Sequence, residues 1–156
     1  MKRGILGIIC VAMMFSMAAC AGSGGSVKNV EGTLSEIFVK IYANAGVEAP
    51  LTTETVVDDS NKASMLGSND VIFKEGLASE AAIMTIPHSM VLIRVDSSVD
   101  IAKTKQLIKD NVDPRKWICV GVEADQVIVD SIGDLIFLVM SENAKAYHES
   151  FLKLSA

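Results

Sequence analysis

Histidine is scarce in this chain, with two residues in 156, and neither stands in an H-E-x-x-H pattern. A zinc site has little to be built from. The chain also lacks G-x-x-x-x-G-K-[ST] and G-x-G-x-x-G, the two common phosphate-cradling loops, and the G-x-S-x-G elbow of the α/β-hydrolases. Positive charge is in deficit, 14 Lys and Arg against 19 Asp and Glu, a net charge of −5. An acidic surface is repelled by nucleic acid and by anionic headgroups. Arg115-Lys116-Trp117 is the nearest approach to a basic patch with an aromatic. Three residues make no nucleic-acid footprint, so a DNA or RNA partner is excluded. No apolar run reaches the ~20 residues that a membrane-spanning helix requires.

What the chain does have is concentrated at its start. Lys2 and Arg3 precede an apolar stretch from Ile5 to Met17, and Met17-Ala18-Ala19-Cys20 brings small residues up to a cysteine. This segment resembles a bacterial lipoprotein signal peptide with its lipobox, Met17 standing where Leu is usual. The resemblance implies cleavage between Ala19 and Cys20, diacylation of the Cys20 thiol and acylation of the new N-terminus. The length agrees, since a signal h-region runs ~10–14 residues and a spanning helix needs about 20. Gly7 interrupts the stretch, and no positive stop-transfer flank follows it. Two or more acyl chains hold a protein stably at a membrane, where one alone is marginal at ~0.8 kcal/mol per CH₂. The expected organisation is a signal peptide over 1–19, a lipidated cysteine and Gly/Ser linker over 20–30, and an extracytoplasmic domain over 31–156. The expected location is the outward face of the cell membrane, held by lipid on Cys20.

Without residues 1–19 the balance becomes 12 basic against 19 acidic residues, a net charge of −7. Cys10 leaves with the signal and Cys20 carries lipid, so Cys119 is the one remaining thiol. An internal disulfide and a Cys-rich metal site are both excluded. The fold must rest on its core. Ala21-Gly22-Ser23-Gly24-Gly25-Ser26 reads as a flexible tether reaching ~15–20 Å.

Thr33-Leu34-Ser35-Glu36 fits a capping box, and Leu34, Ile37, Phe38, Ile41, Tyr42 and Ala45 then recur with helical period up to Gly46. Residues 47–70 hold Pro50, Asp58-Asp59-Ser60-Asn61 and Gly67-Ser68-Asn69-Asp70 and read as loop, with one short helical turn around Lys62 to Leu66. Residues 78–86 stay open between helix and strand. Met90 to Val95 reads as a buried strand. Ser97-Ser98-Val99-Asp100 marks a helix start, with Asp100 in the capping-box position. That helix ends near Asn111, because Pro114 pushes Asp113 away from helical geometry. Trp117 to Glu123, Gln126 to Asp130 and Leu135 to Met140 read as a three-strand antiparallel meander, followed by a helix from Asn143 to Leu154. The expected fold is one α+β domain of order α-β-α-β-β-β-α, a mostly antiparallel sheet with helices covering one face.

A second resemblance rests on the run Met90 to Val95, the lysine-rich helix after it, Asp113-Pro114-Arg115-Lys116-Trp117, and Gly133 to Ser141. These resemble small Gram-positive lipoproteins of a domain-of-unknown-function family, whose members come mainly from gut anaerobes. The similarity covers residues 31 to 156. It implies location and domain type and carries no activity or catalytic residue.

Candidate chemistry is thin. Cys119 with His88 would give a thiol and a base, but free cysteine in an apolar strand between Ile118 and Val120 usually acts as a small hydrophobe. Cys119 is therefore expected to be buried and inert. Ser89 neighbours His88, yet adjacent strand residues point to opposite faces. His148, beside Tyr147, reads as a packed or edge residue. An EF-hand on Asp59 and Asn61 fails at Ala63, which cannot ligate, and at Ser64, where glycine is required. A looser binding site from Asp58, Asp59, Asn61, Asn69 and Asp70 is the weak candidate, against solvated turn residues. No catalytic residue, metal or cofactor is expected. Three functional readings follow: a non-enzymatic lipoprotein binding an envelope protein or the cell wall, a small-molecule or ion-binding lipoprotein accessory to a transporter, and a thiol-dependent enzyme through Cys119. The first leads, with its binding surface in residues 47–70.

Overall fold

The computed structural model of the chain describes residues 29–155. Ala19, Cys20 and the linker up to residue 28 lie outside the described residues. Within them the helices are α1 (Leu34–Asn44), α2 (Lys62–Leu66), α3 (Ile101–Asn111) and α4 (Ala144–Leu152). The strands are β1 (Thr52–Val56), β2 (Glu75–Ala81), β3 (His88–Arg94), β4 (Val127–Ile132) and β5 (Leu135–Ser141). They form one antiparallel sheet in the order β1-β2-β3-β5-β4. The α+β class, the antiparallel sheet and the closing strand-strand-helix order are as the sequence predicts.

Local chemistry sets the element ends. Thr33 Oγ1 accepts from the Glu36 N–H at 3.2 Å and Glu36 Oε2 accepts from the Thr33 N–H at 2.9 Å, the reciprocal capping box of α1. Asp100 is the N-cap of α3 itself, accepting from the Lys103 N–H at 3.1 Å, and not the third residue of a box. β4 and β5 meet through a two-residue turn in which Gly133 sits at φ +55, a backbone state that favours glycine.

The sheet is buried on both faces, which corrects the expectation of helices on one side. Met90, Leu92, Leu135, Phe137 and Val139 point to α1 and α4, with Ile37, Phe38, Ile41, Tyr147 and Phe151. Val91, Ile93, Ile136, Leu138 and Met140 point the other way, to α2, α3 and Trp117. Alternation along β3 and β5 thus feeds two cores, and the sequence is continuously apolar from Met90 to Ile93 and from Leu135 to Met140. Val30 belongs to the first core, so the folded part begins inside the segment expected to be linker.

Two further corrections bear on function. Trp117 to Glu123 is not a strand: Trp117 and Val122 are buried while Ile118 and Cys119 are exposed, and Cys119 stands at φ +61. The third strand beside the β4–β5 hairpin is β3. Conversely, Thr52–Val56 is a strand where a loop was expected. It pairs with β2 while leaving four of its five residues exposed. Residues 78–86 divide, strand up to Ala81 and turn beyond.

Candidate functional site

Lys116, Glu80 and Ser89 come together from three separate parts of the chain. Glu80 lies on β2 opposite Thr53 of β1 on one side and opposite Ser89 of β3 on the other. Lys116 follows the Pro114 turn, where the Val122 N–H donates to the Pro114 carbonyl at 2.9 Å and closes the loop. Its ammonium lies 2.5 Å from Glu80 Oε1 and 3.1 Å from Ser89 Oγ. The two charged side chains are 16% and 25% exposed, so each is held mainly by the other. A pair this sheltered costs desolvation and is retained only with good geometry.

Around the pair opens a groove of about 390 Å³, walled by Met65 of α2, Met84 of the β2–β3 turn and Trp117. Lys116 Nζ lies 5.6 Å from the Trp117 ring centroid, a cation–π distance, and 4.0 Å from Met65 Sδ. The Ile118 N–H donates to the Met84 carbonyl at 3.3 Å and ties the loop to the turn. Met84 of the groove wall is half exposed, and the chain neighbours Ile83 and Ile118 of Met84 and Trp117 are exposed too, apolar surface beside a neutralised polar floor. Flexible methionines beside a fixed indole suit a surface that accepts apolar side chains. Thr53, Ser64 and Met65 of the groove do come from the 47–70 segment. Glu80, Met84, Lys116 and Trp117 do not, and no local pattern marks a contact between positions 36 apart.

A second polar group is buried under α1. His88 Nε2 lies 2.9 Å from Tyr42 Oη, His88 Nδ1 lies 3.1 Å from Ser141 Oγ, and Tyr42 Oη lies 2.8 Å from Ser79 Oγ. Burial pushes the His88 imidazole down to about 4, so it is neutral near pH 7 with both ring nitrogens engaged. It serves as a structural link and not as a base. The His88–Cys119 dyad does not form: the imidazole is buried and committed to Tyr42 and Ser141, whereas the thiol is exposed. The expectation of a buried Cys119 is overturned. Ser89 does face away from His88, toward Lys116. His148 meets Asp130 on the neighbouring strand.

The acidic loop residues are spent largely on the loop itself. Asp58 accepts from the Ser60 N–H and hydroxyl, and those bonds hold its carboxyl below the usual range. Asn61 accepts from the Asp58 N–H and donates to the Val56 carbonyl, while Asp59 pairs with Lys62 at 2.7 Å. Asp58 and Asp59 border a separate cleft of about 300 Å³, which Asn69 and Asp70 do not line. The five residues therefore do not converge on one point. Among the described residues no cluster of three or more His, Cys, Asp and Glu has metal-binding geometry, and no helix is long and apolar enough to cross a membrane. No family model, curated protein or solved structure matches the chain.

Proposed function

We propose that this chain is a lipid-anchored binding domain of the cell envelope. Acyl chains on Cys20 tether it, it has no catalytic role, and it engages an envelope protein or cell-wall peptide at the outer face of the membrane. The anchor is supported by the Lys2-Arg3 start, the short apolar stretch and the small residues before Cys20. The observation that carries the binding role is the groove, whose apolar wall at Met84 stays open to solvent while its ion pair is internally satisfied. Such a surface gains from covering its apolar area and presents little uncompensated charge to oppose a partner.

The test uses the full chain in its own membranes. Wild type should incorporate palmitate and Cys20→Ala should not. A photo-cross-linking residue at Met84 should capture an envelope partner or peptidoglycan, and the same residue at Lys145, exposed on α4, should not. Equal capture at both positions, or none at Met84, overturns the binding reading. Unchanged palmitate label in Cys20→Ala overturns the anchor.

A further inference from the structure

We propose that the outer edge of β1 receives an extended, cationic polypeptide segment as a sixth strand of the sheet; this rests on the binding-domain reading and names its partner's chemistry. The backbone carries the first part of the argument. The Ala82 N–H donates to the Leu51 carbonyl and the Val57 N–H donates to the Gly76 carbonyl, each at 2.9 Å. Antiparallel pairing alternates, so the odd-numbered residues from 51 to 57 bond to β2. The N–H and C=O of Thr52 and Glu54, and the N–H of Val56, therefore point away from the sheet. The Val56 carbonyl is already taken by the Asn61 side chain at 2.8 Å, which ends the free run. An unpaired strand edge is a template for another chain.

The two sheet edges are not alike. β4, on the far side, is half-buried along its length, and Lys105 of α3 and His148 of α4 both reach its Asp130. β1 has Thr53, Glu54, Thr55 and Val56 exposed. The open edge has one charge sign. Between Lys40 and Lys62 the chain carries Glu48, Glu54, Asp58 and Asp59 and no lysine or arginine. Glu54, at the centre of β1, accepts from the Ser35 hydroxyl at 3.1 Å and has no cationic partner among the described residues. A second copy pairing edge to edge about this centre would set Glu54 against Glu54, and like charges directly opposite are destabilising. A lysine or arginine opposite Glu54 reverses that sign.

The two faces of β1 then dictate the incoming pattern. Glu54 projects on the α1 side, while Thr53 projects on the other side and lines the Met65–Met84–Trp117 groove. Side chains of an added strand alternate in the same way, about 4.8 Å further out. Cations on one face and aliphatic side chains on the other complement Glu54 and the groove together.

The probe is an acetylated decapeptide of alternating Lys and Val, titrated into the full chain in non-ionic detergent. Trp117 is the chain's single tryptophan and reports on the groove by its fluorescence. The peptide should saturate that signal and slow hydrogen exchange at the Thr52 and Glu54 amides. The alternating Glu-Val peptide should bind at least tenfold more weakly, and so should a Lys-Val peptide N-methylated at alternate residues. Glu54→Lys and Glu54→Pro should each weaken the Lys-Val peptide at least tenfold. The proline removes the outward-facing N–H together with the carboxylate and leaves the β2 ladder in place, so a loss beyond that of a Glu54→Gln chain reports the backbone bond. Equal binding of the N-methylated peptide overturns strand addition, as does protection of Thr52 and Glu54 in a dimer without peptide. Undiminished capture at Met84 in a Glu54→Pro chain that no longer binds peptide would sink this inference while leaving the groove reading intact.

Discussion

Asp130 Oδ2 lies 2.8 Å from His148 Nε2, joining the edge strand β4 to α4, while Asp130 Oδ1 lies 3.0 Å from Lys105 Nζ of α3. One carboxylate thus spans both helical layers around the sheet edge. Burial pushes its pKa up, but bonds from His148 and Lys105 outweigh that and hold it below the usual range. A carboxyl depressed in the folded state stabilises above its unfolded pKa and loses that contribution as pH falls through the folded value. Asp130→Asn should therefore cost about 1 kcal/mol at pH 7, and the difference from wild type should narrow in acid. Urea unfolding at pH 7 and pH 3 checks both parts.

His88 should make the domain sensitive to mild acid. Its imidazole is neutral in the fold down to about pH 4 but protonates near 6.5 when unfolded. The unfolded state binds the extra proton between those values, so stability falls as pH drops from 6.5 to about 4 and is unaffected by this group above 6.5. The full loss is roughly 3 kcal/mol, at about 1.4 kcal/mol per pH unit. His88→Asn should start less stable at pH 7 yet show a flatter profile across that window. A wild-type slope retained in the variant would assign the acid sensitivity elsewhere.

Tyr147 gives a prediction of the opposite sign. Its ring fills the first core at 0% exposure, but its hydroxyl has no hydrogen-bond partner among the described residues. Burial raises the phenol to about 12. Tyr147→Phe keeps the ring contacts with Tyr42 and His88 and removes a buried orphan donor. It should be neutral or stabilising by up to ~1 kcal/mol in thermal unfolding.

Gly67 closes α2 at φ +81, and a Cβ there would lie 2.3 Å from the Asn111 backbone carbonyl carbon. Gly67→Ala therefore meets a rigid wall as well as a backbone state that L residues avoid. A loss of roughly 2–4 kcal/mol is expected in denaturant unfolding. A near-neutral result would mean that α2 shifts freely relative to α3.

Cys119 should react rapidly with a thiol reagent in the native protein, close to the rate of the unfolded chain. Cys119 is an exposed residue in the irregular bend at 117–119. Slow native labelling would place the 117–120 segment under cover.

The elements that were legible in the sequence are those whose own residues specify them. Thr33 and Glu36 announce α1, the Lys-rich period marks α3, and Gly133 between two apolar runs marks the β4–β5 hairpin. The misreadings have a common cause. Trp117-Ile118-Cys119-Val120-Gly121-Val122 has strand-forming side chains, yet tertiary context uses Trp117 and Val122 as anchors of an irregular loop. Thr52–Val56 has no apolar face because an edge strand with open sides needs none. Lys116 and Glu80 are unremarkable singly, and only the order β1-β2-β3 with the Pro114 turn beside it brings them into contact.

One interior strand of the sheet is also the last strand to be synthesised. β5 is completely buried and lies between β3 and β4, yet it is drawn from Leu135–Ser141. A chain made from its N-terminus presents β1, β2 and β3 first, with the bonding edge of β3 and half of each core bare. That intermediate leaves the β5-facing edge of Met90 to Ile93 unpaired until roughly the last seventh of the chain arrives. Exposed apolar strand edges of this kind are where incomplete chains associate. Truncation before Leu135 should thus yield an aggregating species, and a holding chaperone would be needed for as long as β5 is absent.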